Sequence, residues 1–139
     1  MPLQDDLTIP NAALLYRILH ETWTTNKGGR HRPSSIAFFE AHGEVSYFAD
    51  APGVLGELRR IFQGKEIASV PASVIRDKGL AIERRPNECP PNFQSDKACH
   101  VVVGPAAQMQ RNEYEKRARS IAKHDDVKIV ASEPPLPAA

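Results

Sequence analysis

Apolar and polar residues alternate over several short segments of this chain, and that pattern predicts β-strands. The segment CHVVV (99–103) is the most strand-like, because β-branched residues fit a pleated, half-buried surface. The segment EVSYFA (44–49) has the two-residue period of a strand, and further strands are predicted at 67–70, 80–84 and 127–131. Residues 14–19 are compatible with a buried strand and with a helix; the shortness of the run favours a strand.

Apolar residues at helical spacing predict two main helices. The first lies between Asp50 and Gly64, where apolar residues recur at i, i+1, i+4, i+7 and i+8, as in an amphipathic helix: Val54, Leu55, Leu58, Ile61 and Phe62. Asp50 is a candidate cap, Pro52 suits a first turn, and Gly64 ends the element. A longer helix is predicted over about 106–124, and its thin apolar face places it on the surface.

The irregular mixture of strands and helices predicts a single α+β domain with a small mixed sheet, one short amphipathic helix and one longer surface helix. A chain of 139 residues is long enough to bury a core of its own. We expect residues 11–131 to form the domain and residues 1–10 to be a flexible arm. The Pro-rich residues 132–139 are expected to be a disordered tail.

Composition narrows the class of protein. The formal net charge of +1 creates no global field that would attract nucleic acid or an anionic membrane. No segment has the roughly 18 consecutive apolar residues that a bilayer-spanning helix needs, and the N-terminus lacks a signal-peptide pattern. We therefore expect a cytoplasmic protein without a membrane partner, in which Cys89 and Cys99 are reduced.

The loop KGGRHRPSS (27–35) is the strongest candidate site. Its glycines let the backbone approach an anion, its arginines offer forked donors, and its serines add hydroxyl groups. The spacing GxxxxGK[ST] of a P-loop is absent. The competing interpretation is a solvated hairpin in which Ser34 caps the next element. On the first interpretation, the ligand-binding residues are Gly28, Gly29, Arg30, Arg32, Ser34 and Ser35.

Other chemistry has weaker support. The five histidines and two cysteines show no HxxxH, HExxH or CxxC spacing, so we expect no metal site. His100 is expected to be a residue at the edge of the core with one hydrogen-bonded nitrogen. The motifs GxSxG and GxGxxG are absent as well, and no bound cofactor is expected.

Two resemblances to known proteins follow from these segments. RPSSIAF (32–38), EVSYFA (44–49) and ACHVVVG (98–104) resemble a layout found in bacterial proteins of this length, and that resemblance implies no activity. LLYRI (14–18), GGR (28–30) and YFADAPGVLGEL (47–58) are similar in layout to the RES domain. RES proteins are bacterial toxins with an ADP-ribosyltransferase-like fold, and they degrade NAD.

The resemblance to RES proteins implies roles for four residues, with NAD as a substrate. Arg17 and Arg30 would face the dinucleotide phosphates, Tyr47 would line the nicotinamide pocket, and Glu57 would be the acidic catalytic group. A carboxylate there would stabilise the positive charge that develops on the ribose. Arg17, Tyr47 and Glu57 are thus the catalytic candidates. The chain departs from the RES pattern at His31-Arg32, where RES proteins have Trp-Asn, and its second half has no RES counterpart.

Three functional hypotheses result. The first is an enzyme or binding protein for a phosphate-bearing small molecule. The second is a non-catalytic interaction or regulatory module for a protein encoded nearby, which the missing catalytic motifs and the polar helix favour. The third is nucleic-acid binding, against which the net charge argues, through Arg30, Arg32, Arg59, Arg60, Arg84 and Arg85. The sequence leaves open whether the protein is an enzyme and what its oligomeric state is.

Overall fold

The computed structural model describes residues 2–40 and 43–131. Its strands are, in chain order, β1 (Leu14–Leu19), β2 (Thr24–Thr25), β3 (Arg32–Pro33), β4 (Val45–Ala49), β5 (Glu66–Pro71), β6 (Leu80–Arg84), β7 (His100–Pro105) and β8 (Lys128–Ile129). Its α-helices are α1 (Val54–Ile61), α2 (Ala72–Asp77) and α3 (Arg111–Lys123). Residues 14–19 are a strand, as the short apolar run favoured.

Within the described ranges, six strands form one sheet in the order β6-β7-β4-β1-β5-β8, and β2 and β3 form a separate small ribbon. The predicted α+β class is confirmed. The sheet was expected to be mixed, but each neighbouring pair is antiparallel. The alternation of apolar and polar residues along a strand shows which residues are buried. It does not show whether neighbouring strands are parallel, because that depends on how the strands are connected along the chain.

The two faces of the sheet carry separate cores. Leu15 on β1 and Tyr47 on β4 pack on one face with Tyr114, Ala118 and Ile121 of α3. These α3 residues are spaced by four and three, so they form one stripe of the helix. The helix therefore covers the face of the sheet to which odd-numbered residues of β1 and β4 point.

The opposite face is covered by α1. Tyr16 and Phe48, which alternate with the residues of the first face, pack with Val54, Leu58 and Phe93. The predicted amphipathic helix is confirmed here, but its cap differs from the prediction. Its N-cap is Gly53 with φ of 83°, rather than Asp50. A left-handed backbone suits glycine, so the turn directly before α1 sets its start.

The long helix also differs from its predicted bounds. It was expected over about 106–124, and α3 begins only at Arg111. Pro105 still belongs to β7, and the Ala106 N–H donates to the carbonyl oxygen of Gly79 at 3.2 Å. Residues 106–110 therefore form a non-helical connection between β7 and α3.

The prediction of a flexible N-terminal arm is corrected for residues 2–10, which are packed against the sheet. Leu3 is only 7% exposed, and its N–H donates to the Pro105 carbonyl oxygen at 3.0 Å. The Asp5 carboxylate pairs with Arg76 at 3.0 Å, and Asp6 pairs with Arg84 at 2.9 Å. Asp5 and Asp6 thus bind arginines of the fold. The predicted tail, 132–139, lies outside the described residues.

Candidate functional site

The loop between β2 and β3 is built by a tight turn. Gly28 and Gly29 have φ of 79° and 76°, which glycine adopts at low cost, and the Gly29 N–H donates to the Asn26 carbonyl oxygen at 3.0 Å. His31 anchors the loop, since its Nδ1 lies 2.9 Å from Asn26 Oδ1 and its Nε2 lies 2.9 Å from a Glu66 oxygen on β5. The loop is therefore held against the sheet.

This loop faces the C-terminal part of α3, and two adjoining hollows lie between them. The first, of about 190 Å³, and the second, of about 250 Å³, share the residues Lys27, Arg32, Ala122 and Lys123. The first is also lined by Thr25, Pro33, Ser34, Ser35 and Arg119. The second is also lined by Gly28, Arg30, His124, Asp125 and Val127. We call both hollows together the basic groove.

Most cations of the basic groove lack a counter-ion. In residues 2–40 and 43–131, the side chains of Lys27, Arg32, Arg119 and Lys123 make no ion pair or hydrogen bond. A fifth, Arg30, lies 3.8 Å from Asp125, and both side chains are exposed, so this pair is weak. Among the described lining residues, Asp125 alone carries a carboxylate. The groove is therefore a local concentration of positive charge in a nearly neutral protein.

Ser34 lines the first hollow and carries a buried hydroxyl group. It stands at the start of the 3₁₀ turn Ser35–Phe38, but its side chain makes no capping bond. Its Oγ is buried and has no hydrogen-bond partner in the part of the chain that the structure describes. Buried polar groups are nearly always hydrogen-bonded, so an isolated one at a hollow is a group that a ligand or water can satisfy. The capping role expected on the solvated-hairpin interpretation is not seen.

Two of the RES-type candidates lie together in the core, away from the basic groove. The Arg17 guanidinium, 11% exposed, donates to the carbonyl oxygens of Ala37 at 2.9 Å and Ser46 at 3.1 Å and lies 4.8 Å from the centre of the Trp23 ring. Tyr47 is 1% exposed, and burial raises the pKa of its hydroxyl group. Neither residue lines either hollow.

The third candidate, Glu57, lies across the sheet on α1. Its carboxylate accepts hydrogen bonds from the backbone N–H groups of Gln94 and Ser95, from the Ser95 hydroxyl group and from Arg60. Desolvation would raise the pKa of Glu57, but these hydrogen bonds and the charge of Arg60 together lower it below its usual value. The predicted grouping of Arg17, Tyr47 and Glu57 is thus not assembled, because α1 and α3 cover opposite faces.

The arginines of the nucleic-acid hypothesis are dispersed as well. Arg84 pairs with Asp6 at 2.9 Å, and Arg85 pairs with three glutamates, among them Glu44 at 3.1 Å. Arg59 donates to the carbonyl oxygen of Ala131, and Arg60 pairs with Glu57. Only Arg30 and Arg32 of that set lie at the basic groove.

His100, Cys89 and Cys99 are buried in the fold. His100 is 3% exposed, and its Nδ1 lies 2.8 Å from the Arg85 carbonyl oxygen, which confirms the expected edge-of-core position. Cys89 and Cys99 are free thiols in the α1-side core, and burial raises the pKa of both. No set of three or more His, Cys, Asp and Glu residues suited to a metal ion occurs in the described ranges.

Arg119 and Lys123 are the site residues that sequence reasoning missed. They lie four apart on α3, so both project from one side of the helix toward the loop. The sequence shows this spacing, but only the fold shows which loop the helix faces.

No helix among the described residues is long and apolar enough to cross a membrane. Comparisons with protein-family models, with curated proteins and with solved structures found no match for the chain.

Proposed function

We propose that the basic groove binds a small phosphate-bearing ligand. The observation that carries this proposal is the gathering of four cationic side chains, from residues 27–32 and from α3, that have no ion pair within the described residues and that line two adjoining hollows. Like charges repel, so collecting them without counter-ions costs free energy that an anion would recover. If these side chains had only a structural role, nothing would offset the repulsion between them.

Phosphate is the anion that best suits these donors. The guanidinium groups of Arg32 and Arg119 present forked N–H donors that match two phosphate oxygens at once. Lys27 and Lys123 add mobile point charges, and the Ser34 hydroxyl group can donate a further hydrogen bond. A chloride ion is a single atom, so it cannot present two acceptor oxygens to one guanidinium group as phosphate does.

We propose that the basic groove binds its ligand, and we assign no catalytic step to it. Glu57 is saturated by its own donors and lies across the sheet from the groove, so it supplies no acid for NAD cleavage there. NAD remains a useful probe, because its pyrophosphate carries the charge that the groove would bind.

Calorimetric titration with ADP, pyrophosphate and NAD tests the proposal. We expect binding that weakens as salt is raised, since the contacts are largely electrostatic. Arg32→Ala removes a cation common to both hollows and should weaken binding about tenfold or more, as the loss of one charge-assisted contact does. Ser34→Ala should weaken it by a smaller factor.

The matched control is Lys116→Ala, which removes an exposed cation of the same helix that lines neither hollow. It should bind like the wild type. Absence of binding by all three compounds, or equal binding by the wild type and Arg32→Ala, would refute the proposal. Nicotinamide release in the NAD titration that Glu57→Gln abolishes would favour the RES-type activity instead.

A further inference from the structure

The basic groove is divided, and its division bears on the kind of ligand. The two hollows share one cationic wall, made by Lys27, Arg32 and Lys123. Each hollow then has a cation of its own, Arg119 in the first and Arg30 in the second. Either hollow could therefore hold one anionic group, and the shared wall would contact both.

The amount of charge also points to two anionic groups. A phosphoryl group carries about −1.5 to −2 at neutral pH, whereas the groove holds the weakly paired Arg30 and four cations that have no ion pair within the described ranges. One phosphoryl group would leave roughly half of this charge uncompensated, and two would nearly balance it.

The two hollows are chemically different. The first has no carboxylate among its lining residues that the structure describes. In the second, Asp125 lies 3.8 Å from Arg30 and would compete with an incoming anion for it. The first hollow should therefore be the stronger anion site, and it should be filled first.

A long polyanion fits this surface poorly. Asp125 and Asp126 follow His124, the C-cap of α3, so negative charge lies at one end of the groove. The other four arginines of the nucleic-acid hypothesis are held by partners within the protein, so they form no cationic track that leads away from the groove. Nucleic-acid binding needs a series of phosphate contacts along such a track.

We propose that the ligand is a small molecule that presents two phosphoryl groups, one to each hollow. This proposal rests on the proposed function, since it specifies the ligand of the same groove. The two groups could be linked, as in a diphosphate, or separated, as in a sugar bisphosphate. Both share the chemistry that the groove recognises, and joining two groups makes the second contact intramolecular, which raises affinity.

The test compares inorganic phosphate, pyrophosphate and fructose 1,6-bisphosphate by calorimetry at one salt concentration. We expect one or both of the two-phosphoryl compounds to bind at least about tenfold more tightly than phosphate. The better of the two shows whether the groups are linked or separated. A short single-stranded RNA serves as the polyanion.

Two variants separate the hollows, with Lys116→Ala as the control of equal charge change. Arg119→Ala should weaken the binding of inorganic phosphate and of the two-phosphoryl ligand, because both occupy the first hollow. Arg30→Ala should weaken the binding of the two-phosphoryl ligand at least about threefold. It should leave the binding of inorganic phosphate to the first hollow unchanged. The melting temperature of each variant verifies that it is folded.

Each result bears on the proposal. Equal affinity for phosphate and for both two-phosphoryl compounds, with loss of binding in Arg32→Ala, would overturn the two-group ligand and leave the proposed function standing. Tighter binding of the RNA than of the small compounds would overturn it in favour of a polymer. Failure of every compound to bind would remove the proposed function and the two-group ligand together.

Discussion

Arg17 shows how a residue suited to ligand binding can serve the fold instead. Its guanidinium joins the carbonyl oxygens of Ala37 and Ser46, and thereby connects the 3₁₀ turn to the start of β4. Burial lowers the pKa of Arg17, and the neighbouring Tyr47, Glu40 and Tyr114 act against that effect. A buried guanidinium is tolerated because its donors are satisfied.

Replacing Arg17 should therefore damage stability rather than a site. Arg17→Ala removes the donor to the carbonyl oxygens of buried Ala37 and of Ser46 and opens space beside Trp23, and we expect a loss of about 2–4 kcal/mol in the free energy of unfolding. Urea denaturation measures this, and Lys116→Ala should stay within about 0.5 kcal/mol of the wild type. A variant that keeps its stability but no longer binds NAD would instead assign Arg17 to a ligand site.

At the scale of elements, Glu57 joins α1 to the loop that precedes β7. Its carboxylate accepts from the backbone of residues 94 and 95, so a single side chain orders that loop against the helix. The pKa of Glu57 is lowered in the folded state relative to its ordinary value of 4.5. The ionised form therefore stabilises the fold above about pH 4.5, and this contribution disappears as the pH falls through the lowered pKa.

Glu57→Gln tests this linkage. At neutral pH the variant should melt at a lower temperature than the wild type, because an amide cannot accept as many hydrogen bonds as a carboxylate. The difference should shrink as the pH is lowered below 4.5 and close once the wild-type carboxylate is protonated. Glu115→Gln, at a half-buried partner of the exposed Arg111 on α3, is the control and should show little difference at any pH. A gap that is constant with pH would contradict the linkage.

The same elements show what the sequence could and could not predict. β7 and α1 were predictable because β-branched runs and helical periodicity are local signals. The turn at Gly28 was predictable for the same reason. The approach of Arg119 to Arg32 was not, because it depends on which face of the sheet α3 covers. The separation of Glu57 from Arg17 likewise follows from the faces that α1 and α3 occupy.

At the scale of the whole molecule, the sheet has both faces covered by helices and one edge covered by the N-terminal segment. Along β6, the Ile82 carbonyl oxygen accepts from the Asp6 N–H at 2.7 Å, and the Ile82 N–H donates to the Asp5 carboxylate at 2.9 Å. The Gln4 N–H adds a bond to the Glu83 side chain. The other edge, β8, is only two residues long. Covered or very short edges limit pairing between molecules.

Removing the N-terminal cover should expose β6 to other copies of the chain. A variant lacking residues 2–9 loses the partners of Ile82 and the buried Leu3 and Ile9, so we expect it to be less stable and to self-associate in light-scattering measurements. Asp5→Ala is the milder variant: it removes the acceptor for the Ile82 N–H and the partner of Arg76, and should lower the free energy of unfolding by about 1–3 kcal/mol. Asp126→Ala, an exposed aspartate far along the chain, should match the wild type. If the truncated protein stays monomeric and both variants keep wild-type stability, the N-terminal segment does not protect the edge.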